Sequence, residues 1–508
     1  MYIRSMLKTF GVWLGFVVLV LLSFLANESY KTFFYRPCSA HVWRQCDGAS
    51  YALNYHQNKG PFLPPQVHHR HAENGYAVSE FPIVYFLAAK GYDWFGFHDY
   101  YIRWIHYVIF ILGLIYLVRI TALFTQNRWL QLVPMAFTIT SPYLYYYGAN
   151  FLPDVAGLSI ALIGLYYYFK FSEQHTWWYL ALSVSLFTLA TCLKVSAGIL
   201  FLSCFGHYFF SILFPFIRTK NFRKPIVHLL VFGLGFALCY AWVQYDRYVA
   251  ERYHFGGNLF GFYGIWDCDT HTILYIFKRL KELWVKVIFS KYLWISMGVF
   301  TLLFIRYFKQ IDSRLRLITL FGGIGVVLFS LGWFKTFDVH DYYMINLFCL
   351  PILLFLCFIF LVEKKQWFHA RYQYPLFIIL LGAIFYHSLL KCRGEQHFRF
   401  NDPVYNTLNP SLYRIEPYLR SVGIKRTDTV VSVPDPSPNI SLYLMNQVGY
   451  SEAYTDEHYN IDVFVGMSKA KYLIVNDSSY CSKPPYDKYC RRDNLVGQFE
   501  GIKIFRTN

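Results

Sequence analysis

Apolar runs of about 18 to 22 residues recur along the chain with short charged breaks between them, and each can cross a hydrocarbon layer as a helix. A soluble protein of 508 residues would instead divide into domains with polar surfaces. With 56% hydrophobic and 15% charged residues, the chain is neither disordered nor collagen-like. The pattern defines an α-helical polytopic membrane protein. A net charge of +17 would suit a nucleic-acid partner, but the Lys and Arg side chains sit mostly in the short breaks, where they report orientation.

The first run, residues 10–26, follows Arg4 and Lys8 and is not followed by a convincing small-residue cleavage site, so it reads as an anchor. Further runs near 102–124, 130–147, 153–171, 177–192, 196–216, 226–245, 285–305, 316–333, 342–362 and 374–391 bring the expected spans to eleven. With the N-terminus in the cytoplasm, the cytoplasmic breaks and the N-terminal pair carry sixteen Lys and Arg. The short breaks opposite carry two, Lys194 and Lys335. An odd number of spans then places the C-terminus outside.

Three long pieces fall on the outer face: 27–101, about 246–284, and the tail. The expected organisation is a transmembrane domain over 1–392, with interfacial helices in its first outer loop, and a small soluble α/β domain over 393–508. In that tail TVVSV at 429–433, KYLIV at 471–475 and GIKIF at 501–505 read as buried strands, with helical patterns at 411–422 and 438–447. Of the eleven cysteines, two outer pairs, Cys38 with Cys46 and Cys481 with Cys490, are spaced closely enough for local disulfides.

Ionisable residues at a membrane boundary cost free energy and tend to face a cavity, and here five outer segments supply them. Arg44 and Asp47 are three apart and would share a helix face, as a working pair or as an ordinary ion pair. Glu80 precedes a short apolar stretch, interrupted by Lys90 and Asp93, that suits a helix lying in the interface. Asp154 follows Pro153 at the mouth of a span, which is also how helices commonly begin. Lys194 occupies a tight outer turn. His340, Asp341, Tyr342 and Tyr343 sit at the top of a late span, where tyrosines also serve as interfacial anchors. HHRH at 68–71 offers metal-ligand types, but neighbouring side chains of an extended segment diverge, and a solvated loop is the expectation.

With these residues laid out, the chain resembles the GT-C superfamily of polytopic glycosyltransferases, in particular bacterial relatives of protein O-mannosyltransferases and of the lipid A aminoarabinose transferase. WRQCD at 43–47 resembles the motif that carries the acid of the first outer loop, which marks Asp47. EFP at 80–82, PD at 153–154 and HDYY at 340–343 resemble later motifs of the same family. Two departures stand out: Phe81 takes the place of a Lys between acid and proline, and Gly48 follows Asp47 where mannosyltransferases pair two acids.

The resemblance implies a GT-C-like fold in a bacterial inner membrane and sugar transfer from a polyprenyl-phosphate carrier to an envelope glycolipid, glycan or protein. It places the active face and the C-terminal domain on the periplasmic side. Asp47 would act as general base, with Glu80 and Asp154 orienting the acceptor or the cations. Arg44, Lys194, His340, Tyr342 and Tyr343 would hold the donor phosphate. No cofactor is required, and a divalent cation between Asp47 and Asp154 stays open. A lipid-linked glycan polymerase or ligase would use the same carrier. A transporter fits less well, since no internal repeat is visible and the charges lie at span ends.

Overall fold

The computed structural model describes residues 2–215, 223–254, 261–368, 373–405, 408–435, 437–452 and 467–507. The chain forms two compact units. One comprises Met1–Phe34, Arg103–Val243 and Gly261–Phe398; the other comprises Tyr35–Ile102, Gln244–Phe260 and Arg399–Asn508. The first outer loop therefore clusters with the tail although about 300 residues separate them in sequence.

Seven described helices are long and apolar enough to cross a membrane: Tyr100–Thr121, Asp154–Gln174, Val195–Leu213, Pro225–Arg252, Ser313–Gly332, Asp341–Lys365 and Gln373–Asn401. The bent pair Thr270–Ile288 and Lys291–Arg306 makes an eighth if it forms one span, and Phe10–Ala26 and Trp177–Leu193 are shorter apolar helices. The run at 130–147 departs from the expected single span. It divides into Arg128–Ile139 and Pro142–Gly148, because Ser141 Oγ accepts from Leu144 N–H and Pro142 takes the first helical position, so a new helix starts inside the apolar run.

Within this first unit, helices approach closely where a side chain is missing: a Cβ at Gly113 would lie 2.6 Å from the Ser159 Cβ. Outward faces carry bare apolar side chains, among them Leu230, Leu234 and Leu238 on one helix and Leu376, Ile379 and Leu380 on another. In water such continuous exposure would drive association, whereas in a bilayer it is solvation.

The second unit holds a five-stranded sheet of order β2-β1-β3-β5-β4, with β1 Val430–Val433, β2 Gly449–Ser451, β3 Tyr472–Val475, β4 Leu495–Phe499 and β5 Ile502–Arg506. β1 runs parallel to β2 and β3, while β5 is antiparallel to β3 and β4. Val431, Val433, Leu473, Val475 and Phe505 form its core, against which the thiols Cys481 and Cys490 pack; all eleven cysteines are unbridged in the structure.

HHRH is not a solvated loop. His68 and His69 are buried, because the segment extends the sheet beyond β2: Arg70 N–H donates to Gly449 O at 2.7 Å and Gly449 N–H to His68 O at 3.2 Å. Burial pushes the His68 imidazole down to about 3, which leaves it neutral. Loop and tail are also joined by charge. Arg36 Nε lies 2.6 Å from Asp99 Oδ2, the Tyr443 hydroxyl donates to Asp99 Oδ1, and Arg36 Nη1 donates to the Tyr413 carbonyl at 3.2 Å.

Candidate active site

In the second unit, Asp47, Arg44 and Glu80 come together. WRQCD lies at the start of helix Val42–Asn58, so the three-residue spacing places Arg44 beside Asp47, with Arg44 Nη1 3.2 Å from Asp47 Oδ2. Arg44 Nη2 lies 2.7 Å from Glu80 Oε2 and donates to Ser79 Oγ at 3.1 Å. Tyr85 OH donates to Glu80 Oε1 at 2.7 Å from the first turn of helix Ile83–Phe95. That helix exposes Leu87, Trp94 and Phe95, the apolar face expected of an interfacial element.

One guanidinium thus serves two carboxylates, and a third, Asp246 on helix Arg223–Arg252, lies within electrostatic reach of both Glu80 and Arg44. Asp47 is 7% exposed. Burial pushes its carboxyl up to about 6, against the opposing pull of Arg44 and of a hydrogen bond from Asn439. It is therefore ionised at neutral pH yet more basic than an ordinary aspartate.

Gly48, the departure from a paired acid, has a steric reason. A Cβ there would stand 2.5 Å from Tyr85 Cε1, so the ring that donates to Glu80 occupies the place of a side chain. Gly48→Ala is expected to displace Tyr85 and destabilise the protein by about 1–3 kcal/mol, the cost of overpacking. A thermal melt checks this, and an unchanged melting temperature would mean that the ring moves freely.

In the first unit, Asp154, Lys194, Tyr342 and Tyr343 come together. Asp154 opens helix Asp154–Gln174 and is 1% exposed, with Oδ1 2.8 Å from Lys194 Nζ. Lys194 follows the last residue of helix Trp177–Leu193, and its Nζ stands 4.7 Å from the Tyr342 ring centre and 4.4 Å from that of Tyr343, a cation over two neighbouring rings. His340 Nδ1 hydrogen-bonds Tyr342 OH at 3.2 Å.

Further residues complete both clusters. Asp341, inside HDYY, is buried and accepts from the Tyr147 hydroxyl, while Asn346 Nδ2 lies 3.5 Å from the Asp154 carbonyl. Asn439 reaches Asp47 Oδ1 with its Nδ2 at 3.2 Å. Asp341 is one of the ionisable residues that the sequence places at the top of the late span, whereas Tyr147, Asp246 and Asn439 carry no local signal. Among the described residues no group of three His, Cys, Asp or Glu is arranged to hold a metal ion.

The model of the dolichyl-phosphate-mannose-protein mannosyltransferase family matches residues 79–245, a stretch that contains Glu80, Asp154 and Lys194 and stops short of Asp47 and of HDYY. No curated protein matches the chain. Among solved structures, the chain is similar to apo ArnT from Cupriavidus metallidurans, with 11% identity, a TM-score of 0.57 and 98% of each chain covered. It is also similar to the arabinofuranosyltransferase AftD from Mycobacteria, with 13% identity and a TM-score of 0.54, covering 98% of this chain and 41% of that one. At these identities the likeness is one of fold: the chain shares the fold of these two membrane proteins.

Proposed function

We propose that the chain is an integral-membrane glycosyltransferase that moves a sugar from a polyprenyl-phosphate carrier to a hydroxyl of an envelope glycolipid, glycan or protein. Asp47 takes the acceptor proton as the acceptor oxygen attacks the anomeric carbon. The bond from that carbon to the phosphate oxygen breaks, and its electron pair leaves with the lipid phosphate. Attack opposite the leaving group inverts the centre, and one base suffices. No metal is part of this proposal.

The observation that carries the reading is the buried carboxylate of Asp47, held by Arg44 and Asn439 and lifted to about 6, which suits a base at neutral pH. Arg44 already engages Asp47 and Glu80 with its two Nη atoms, so its place in the proposal moves from holding phosphate to orienting the acids. Lys194 then carries the phosphate, helped by the hydroxyls of Tyr342 and Tyr343 and by His340, with Asp154 fixing the ammonium. The many Phe and Tyr side chains would line the path of the isoprenoid tail. The active face and the tail lie on the periplasmic side of a bacterial inner membrane, following the distribution of Lys and Arg.

Mass spectrometry of envelope glycolipids and glycoproteins, with and without the gene, tests the reading, because a lost sugar identifies donor and acceptor together. An unaltered envelope profile would count against it. The rate is expected to rise with pH as Asp47 loses its proton, to reach half its maximum near pH 6 and to level above pH 7. A pH–rate profile of single turnovers checks the sign: activity falling over that interval would mean that the protonated carboxyl is the active form.

A further inference from the structure

The amide of Asn439 is the tail's contribution to the Asp47 cluster. Its side chain is fully buried, and Nδ2 stands 3.2 Å from Asp47 Oδ1, 3.0 Å from Ser50 Oγ and 3.4 Å from the Cys46 carbonyl. The backbone that presents it is fixed by Asp435, which accepts from Ser437 N–H and Oγ at 2.9 and 2.7 Å and from Ser441 N–H at 2.7 Å. Helix Ile440–Leu444 therefore begins from a hydrogen-bonded loop that aims one amide at one carboxylate.

A second series of contacts fixes how that amide is turned. Ser50 Oγ lies 2.6 Å from His68 Nδ1, and His68 Nε2 lies 3.3 Å from Asn446 Oδ1. A neutral imidazole has one donor and one acceptor nitrogen. Since Asn446 Oδ1 can only accept, His68 carries its proton on Nε2, its Nδ1 accepts the Ser50 hydroxyl proton, and Ser50 Oγ is left to accept from Asn439. The donors then run in a single direction, Asn439 to Ser50 to His68 to Asn446, and Asn446 Nδ2 donates to Glu416 Oε1 at 2.6 Å. This order presents an N–H, not the amide oxygen, to Asp47. It also gives the buried HHRH segment a part in the site that metal binding does not describe.

We propose that the tail is a working part of the site, with Asn439 as a positioning residue that orients Asp47 and sets its proton affinity, and with Ser50 and His68 locking the amide. The inference rests on the reading of Asp47 as the base. Arg44, Glu80, Tyr51, Tyr85, the Cys46 thiol and Asp246 also face this cluster, and none of them changes in the test, so a displaced limb reports Asn439.

The test is the pH dependence of single-turnover sugar transfer from the cell's own polyprenyl-phosphate sugars to an envelope extract as acceptor, using full-length protein in nanodiscs. Removing a hydrogen bond to the ionised form raises a carboxyl's pKa, so Asn439→Ala is expected to move the limb upward by about half to one pH unit. Asn439→Ser, which restores a donor, should bring it partly back, and His68→Ala should move it in the same direction as Asn439→Ala by a smaller amount. The midpoint does not depend on how much protein is folded, so a poorly folding variant still gives an answer. A limb that keeps its midpoint in Asn439→Ala and in His68→Ala overturns this inference alone. A wild-type profile that is flat from pH 5 to 8 overturns the reading of Asp47 as well.

Discussion

Asp47→Asn is expected to lower turnover by about 10²–10⁴-fold, the range that general-base catalysis contributes, without lowering the melting temperature at pH 7.5. The two halves of this expectation have one cause. The carboxyl is lifted to about 6 because burial disfavours its charge more than Arg44 and Asn439 favour it. The folded protein therefore binds that proton more tightly than the unfolded chain does. Stability contributed by the group falls as pH rises from about 4 to about 6, and the deficit persists above, at about 2–3 kcal/mol. An uncharged Asn of the same shape removes that deficit while keeping an acceptor for Asn439. A variant that is inactive but no less stable separates chemistry from folding; a variant that loses both would make Asp47 a structural acid.

Lys194→Met is expected to have the largest effect on stability and on the donor together. The Asp154 carboxylate is 1% exposed, and taking away the ammonium 2.8 Å from it leaves a buried charge with its main counterion gone, which costs about 3–5 kcal/mol. The positive end of the helix dipole at the start of Asp154–Gln174 offsets part of this. Combining Lys194→Met with Asp154→Asn removes both charges and should recover most of the melting temperature. Donor affinity should not recover, because a charged hydrogen bond to phosphate is worth about 1.5–3 kcal/mol, or roughly 10- to 100-fold in donor concentration. If the double variant binds donor as the wild type does, the phosphate sits elsewhere.

Local patterns account for what the sequence displayed of this molecule. Apolar length marked seven of the eleven expected runs as helices long enough to span, and the spacing of Arg44 and Asp47 placed both on one face of helix Val42–Asn58. The break at Ser141–Pro142 was hidden because both residues sit inside an apolar run, where capping is a weaker signal than hydropathy. Strands β1, β3 and β5 are short runs dominated by Val, Ile, Leu, Tyr and Phe and were legible. β2 has three residues and β4 carries Gly497, so neither shows a period long enough to read.

The burial of His68 and His69 depends on Gly449, nearly 400 residues away, and the approach of Asn439 to Asp47 spans 392 residues. Neither leaves a trace in local spacing. Gly48 looked like a lost acid and is a space filled by Tyr85, a fact that only the ring's position can show.

In the proposed reaction Asp47 deprotonates an acceptor that then displaces a lipid phosphate. Its most direct measurement follows a polyprenyl-phosphate sugar, labelled in the sugar, in nanodiscs holding wild-type or Asp47→Asn protein together with an envelope extract as acceptor. With the wild type the label is expected to pass into the acceptor fraction as free polyprenyl phosphate accumulates in equal amount, and with Asp47→Asn both are expected to stop together. Equal transfer by the two proteins would contradict the proposed reaction.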